Sequence, residues 1–133
     1  MNKIKNDYFE PLLDTIDIED SDKGLTLLIK HDYYSSDTNH GKELLTNLLE
    51  VLSQESIKIQ TVYFIDSGVK LLSEISISNL LFPILDKASS TIICADSLDE
   101  FSIELDKHSN YILYDSQMLF EQMLINRPDF IIE

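Results

Sequence analysis

The sequence predicts a three-layer α/β/α domain built on a five-stranded, mainly parallel sheet. Three observations lead there. Short, near-continuous apolar runs at 25–29, 61–65 and 91–94 have the pattern of strands covered on both faces. Between such runs, apolar residues recur at helical spacing, most clearly Leu44, Leu45, Leu48, Leu49 and Leu52. The two patterns alternate along the chain, and short crossovers of that kind require parallel strands with helices on both faces.

Leu25 to Ile29 reads as the first strand, doubly buried and therefore expected at the centre of the sheet. A polar stretch follows, then Gly41 and a helix over 42–54. The second strand, 61–65, ends in the turn residues Asp66, Ser67 and Gly68. Leu80, Leu81, Ile84 and Leu85 predict a second helix, in which Pro83 either makes a kink or marks a fresh first turn. The third strand, 91–94, runs into Ser97 and Glu100, which have the spacing of a capping box for a helix through Phe101 and Leu105. Tyr111 to Tyr114 is the fourth strand, and Asp115 or Ser116 caps a helix over 117–125. After Pro128, the run 130–132 is a short strand expected at a sheet edge.

A chain of 133 residues, 44% hydrophobic, suits one domain with a core of its own. Residues 24–133 hold the alternation; residues 1–23 carry seven acids and read as an acidic arm or linker. In that arm Tyr8, Phe9, Leu12, Leu13 and Ile16 would share one short helical face interrupted by Pro11. The formal net charge of −14 opposes nucleic acid and anionic membrane surfaces as partners. A single cysteine permits neither an internal disulfide nor a cysteine-based metal site, which fits a reducing compartment. No apolar run approaches the roughly 18 residues of a membrane span, and the first residues lack the apolar segment of a signal peptide. The expected location is cytoplasmic, and no cofactor is called for.

That one cysteine, Cys94, closes the third apolar run immediately before a helix start. A thiol there lies near the positive end of a helix dipole and beyond the carboxyl end of a strand, where α/β sheets bind ligands. The alternative is a small core hydrophobe that happens to carry sulfur. Asp96, Asp99, Glu100, Glu104 and Asp106 follow closely, and nearby carboxylates oppose a thiolate. Lys70 would offset them if its turn lay beside Cys94; otherwise it is a solvated surface lysine. His31 ends the first strand and His40 precedes Gly41, which would set both at the same mouth, but two histidines without a fixed short spacing are a weak metal signal, and no metal site is assigned. His108 lies in a polar loop. Tyr33 and Tyr34 either cover a small pocket or mark a subunit contact. P-loop, G-x-G-x-x-G, H-E-x-x-H and G-x-S-x-G patterns are all missing. A phospho-receiver domain would need an aspartate where Cys94 stands and a lysine after the fifth strand, where the sequence ends.

Two segments resemble DsrE-like domains, most closely the carboxy-terminal domain of YedF-like proteins. Residues 61–71, with Ser67-Gly68-Val69-Lys70-Leu71, look like that family's strand followed by "NSGVKL". Residues 92–99, with Cys94 and Leu98-Asp99, look like its "VCGTCLD" segment. Ser35-Ser36-Asp37 is a weaker match to its first loop, and the similarity extends over 24–133. Ala95 replaces the motif's glycine and Ser97 its second cysteine, which removes any mechanism needing a resolving cysteine within the motif. The resemblance implies a DsrE-like, flavodoxin-like alternation of strands and helices. It also implies a sulfur-relay protein carrying persulfide on Cys94, with Ser67, Gly68, Lys70 and Ser97 as binding candidates. The partners implied are a second copy of the chain and a sulfur-donor or sulfur-acceptor protein. The alternative is a non-catalytic DsrE-like binding or oligomerisation module that has lost part of the cysteine motif.

Overall fold

The computed structural model describes residues 24–105 and 110–133. The arm at 1–23 and the residues Asp106 and His108 lie outside the described residues. Five strands, β1 (Leu25–Ile29), β2 (Ile59–Phe64), β3 (Ser90–Cys94), β4 (Tyr111–Tyr114) and β5 (Phe130–Ile132), form one sheet. All pairings are parallel, in the order β4-β3-β2-β1-β5. Four α-helices join them: α1 (Asn39–Leu52), α2 (Ser78–Lys87), α3 (Ala95–Glu100) and α4 (Ser116–Ile125). Two 3-10 segments, Asp66–Ser73 and Ile75–Ile77, precede α2.

Three successive crossovers step the same way across the sheet, from β1 to β4, and only the last returns past all of them to β5. Right-handed crossovers therefore place the first three connections on one face and α4 on the other. Burial agrees. Leu45 and Leu49 of α1, Val69 and Leu71 of the 3-10 segment and Leu81 and Ile84 of α2 form the larger core with Leu27, Ile29, Val62 and Phe64. On the other face Leu119 and Met123 of α4 pack on Leu28, Tyr63, Ile92 and Cys94. The three-layer α/β/α expectation is met. Two details differ. The central strand is β2, and β1 is interior, between β2 and β5. The order also departs from the flavodoxin-like 2-1-3-4-5, although the alternation is shared.

Helix boundaries show where local chemistry prevails over apolar period. Thr38 caps α1, its hydroxyl accepting the Gly41 N–H at 3.0 Å, so the helix begins at Asn39 rather than 42. Gly41 is needed there because a Cβ would stand 1.7 Å from the Ser36 carbonyl oxygen. Asp115 caps α4, accepting the Met118 N–H at 2.8 Å. The capping-box expectation at Ser97 is not met: α3 starts at Ala95, so Ser97 sits in its first turn with its hydroxyl turned to another element. That helix ends at Glu100, and Ser102 takes a left-handed φ of 54°, so it does not run on through Phe101 and Leu105. Pro83 lies inside α2. Among the described residues no single helix is long and apolar enough to cross a membrane.

Candidate functional site: a cleft at the ends of β2 and β3

Beyond the carboxyl ends of β2 and β3 lies a cleft of about 360 Å³. Ile65 and Asp66 line it after β2, Cys94 and Asp96 after β3, and Ser116 and Phe120 from α4. Ser97, Glu100, Phe101 and Leu119 complete the wall.

Cys94 is the last residue of β3 and the N-cap residue of α3. Its register partner is Tyr114, and its side chain points to the α4 face with Ile92 and Leu119. The residue is 4% exposed, yet it forms part of the cleft wall. The thiol is a core residue of the second layer and lies at the wall of the cleft.

Three carboxylates stand around the cleft, from Asp66, Asp96 and Glu100. Asp96 is committed, because its Oδ2 accepts the Ser116 N–H at 3.0 Å. That bond, with a further one from the Ser116 hydroxyl, holds the Asp96 carboxyl below its ordinary pKa. It also ties α3 to the start of α4. Of the five acids expected around Cys94, Asp96 and Glu100 reach the cleft and Asp99 and Glu104 do not; Asp106 lies outside the described residues. An electronegative mouth admits a neutral or cationic visitor more readily than an anion.

Ser97 takes the backbone N–H of Asp66 on its Oγ at 2.8 Å. This joins the β2 turn to α3 across the cleft wall. Asp66 itself adopts φ 50°, a left-handed conformation that aspartate tolerates better than most residues. Ser67 lies on the far side of the turn, its Oγ 3.0 Å from His31 Nδ1, and does not line the cleft. Gly68 shapes the backbone, as expected, but for closeness: a Cβ there would lie 2.4 Å from the Ile29 carbonyl oxygen. The positive φ of this turn falls on Asp66.

Lys70 does not line the cleft. Its ammonium rests 4.9 Å from the centre of the Phe101 ring, and the ring in turn lines the cleft. The positive charge that Cys94 would need is therefore held one aromatic layer away. His31 stacks on Tyr33, ring centres 4.7 Å apart, and lies 3.8 Å from the Asp66 carboxylate. His40, by contrast, is exposed on α1 beside Glu43, so the two histidines do not share a site. Tyr34 packs on Phe130 of β5 and covers the larger core. Among the described residues no group of three or more histidine, cysteine, aspartate or glutamate side chains is placed to hold a metal ion.

Sequence reasoning missed Asp66, Ser116, Leu119 and Phe120. The last three come from α4, which reaches the cleft only because the final crossover lands on the second face. The capping signal at Asp115 and Ser116 located that helix start without placing it over β3.

No family model matches the sequence, and neither does any curated protein. Among solved structures the fold is similar to BT1422 from Bacteroides thetaiotaomicron, described as a conserved protein of unknown function. The two are 11% identical, with a TM-score of 0.54 over 85% of this chain and 97% of that one. At that identity the likeness concerns the fold.

Proposed function

We propose that this chain is a sulfur carrier of the DsrE-like type, with Cys94 as its single acceptor thiol. One observation carries the reading: the only cysteine of the chain closes β3 at the wall of a cleft beyond the strand ends. Of the two stretches that resemble DsrE-like domains, 92–99 lines this cleft through Cys94, Asp96 and Ser97, and 61–71 reaches it only through Ile65 and Asp66, whose backbone N–H is accepted by Ser97.

In the loading step the Cys94 thiolate attacks the outer sulfur of a donor persulfide. The donor's S–S bond breaks, and its inner sulfur leaves as a thiolate and takes a proton. Cys94 then holds a persulfide, with no net change of oxidation state. Transfer to an acceptor thiol is the same exchange in reverse, and both depend on access and thiolate character. Ser97 and Asp66 shape the wall, Phe101 and Phe120 limit water at the sulfur, and the acidic rim selects against anionic donors. A reducing compartment such as the cytoplasm suits a working free thiol.

The test is mass spectrometry of the intact protein after incubation with a persulfide donor. One added sulfur is expected on the native chain and none on Cys94→Ser. A native chain that neither gains sulfur nor alkylates with iodoacetamide would overturn the reading.

A second reading has its own observation. The outer edge of β5 leaves Phe130 and Ile131 part-exposed, at 38% and 41%. An apolar edge strand is a template for self-pairing, which favours a binding or oligomerisation module. A monomer by light scattering at tens of micromolar (roughly the range where a standard-size interface holds) would count against it.

A further inference from the structure

Cys94 stands at the cleft wall, yet it is only 4% exposed. Thiol exchange needs the partner sulfur to come within bonding distance, so part of the cover over Cys94 has to move. On the second face that cover is α4. Leu119, the one fully buried side chain of this helix, packs with Cys94.

The two ends of α4 are held very differently. At the carboxyl end Asn126 makes three bonds to the sheet. The Tyr63 hydroxyl donates to its carbonyl at 2.9 Å, its Nδ2 donates to Thr61 Oγ1 at 3.2 Å, and the Thr26 hydroxyl donates to its Oδ1 at 3.4 Å. At the amino end, Ser116 follows β4 through Asp115 alone, and Asp115 spends its carboxylate capping the helix itself. The bond from there to another element is the Ser116 N–H, donated to the Asp96 carboxylate at 3.0 Å.

Little apolar burial holds the helix down between those ends. Met118, Phe120, Leu124 and Ile125 are 48%, 50%, 70% and 82% exposed. Segments with so few buried apolar contacts open at low cost. The opposite side of the cleft is fixed: Ser97 of α3 accepts the Asp66 N–H, and Phe101 lies under the Lys70 ammonium.

We propose that the first turn of α4 is a gate over Cys94, latched shut by Asp96 on Ser116 and hinged at Asn126. The gate deepens the sulfur-carrier reading and rests on it for its purpose. Closed, it shelters a loaded persulfide from water and stray thiols; open, it admits the donor or acceptor. Asp96 is a positioning residue, acting on the helix and not on the sulfur.

Ser116→Pro isolates the latch. Ser116 is the first residue of α4, where proline is favoured, and Asp115 before it already has the extended φ of −67° and ψ of 167° that proline requires of its neighbour. The substitution removes the N–H that Asp96 accepts and leaves every charge in place. Iodoacetamide labelling of Cys94 across pH, on the full chain, then gives two quantities. Its midpoint reports ionisation of the thiol, and its alkaline plateau reports access. Loss of a charge-assisted bond should raise the plateau about tenfold with the midpoint unmoved. Ser116→Ala keeps the N–H and should stay near the native plateau.

A native plateau equal to that of glutathione would overturn the gate. So would equal plateaus for Ser116→Pro and the native chain, or a faster rate that comes wholly from a shifted midpoint. Should Ser116→Pro melt far below the native chain, Asp96→Ala decides on the same plateau. Sulfur loading is read separately. A native chain that loads sulfur and labels as freely as glutathione keeps the carrier reading and loses the gate. Labelling that appears only in Ser116→Pro, with no sulfur loaded on the native chain, keeps the gate and loses the carrier reading.

Discussion

Two residues beside the cleft are set by contacts that a sequence does not display. Gly68 reads as an ordinary turn glycine, but its backbone passes so close to Ile29 that an added Cβ would lie 2.4 Å from one main-chain atom and 3.0 Å from the next. Backbone cannot give way cheaply. Gly68→Ala should therefore cost about 2 kcal/mol or more, seen as a lower denaturant midpoint with an unchanged slope. Tyr63 is the second case: fully buried, it donates its hydroxyl to the Asn126 carbonyl at 2.9 Å. Burial raises the phenol's pKa above its ordinary value of 10.0. The sign follows: the neutral phenol's contribution is complete below about pH 10 and is lost as pH rises through the folded value. Tyr63→Phe should cost about 1–2 kcal/mol at neutral pH by leaving that carbonyl unpaired, and should remove part of the alkaline loss of stability. The apolar run showed Tyr63 as buried. Its partner, 63 residues away, was beyond any local pattern.

At the scale of elements, period and punctuation divide the work. The apolar runs located all five strands within two residues, because strands buried on both faces leave little else in the sequence. Helix starts were less legible. Thr38 stands immediately before its helix, but Asn39, His40 and Gly41 put no large apolar residue in the first turn to mark the start. Ser97 has the sequence form of a cap, but its hydroxyl is drawn to Asp66, and such tertiary partners leave no trace in spacing. The 3-10 segment Asp66–Ser73 was read as a turn alone, since its buried Val69 and Leu71 are too few to declare a period. Pro83 was legible as a problem and stands as one: it is exposed within α2, where no N–H is available for the Asn79 carbonyl. Pro83→Ala restores that bond, and the melting temperature should rise by the equivalent of about 1–3 kcal/mol. An unchanged or lower melting temperature would mean that proline's restriction of the unfolded chain outweighs the lost bond.

For the whole molecule the candidate site was half legible. Cys94 and its place at a strand end followed from one apolar run, while the wall from α4 depended on the strand order, which alternation alone leaves open. Charge was fully legible, and it sets the last expectation. Against 24 acidic residues stand 10 lysines and arginines. Among the described residues lysine makes side-chain ion pairs at Lys30–Glu133, 2.8 Å, and Lys42–Asp32, 3.8 Å. Such surface pairs contribute at most about 1 kcal/mol each, so repulsion among the remaining acids dominates at neutral pH. Salt of about 0.5 M shortens the screening length to roughly 4 Å and should raise the melting temperature. Acid acts in two stages. Protonating unpaired carboxylates first relieves repulsion and stabilises the fold. Asp96, held down by the Ser116 N–H, and Glu133, held down by Lys30, act the other way. Their contributions are complete above about pH 4 and are lost as pH falls through their lowered values. Stability should thus peak at mildly acidic pH, and Asp96→Asn should soften the acid limb without moving the neutral one. Melting curves across pH at low and high salt check both statements. A melting temperature that falls on adding salt would show that paired charges outweigh the repulsion.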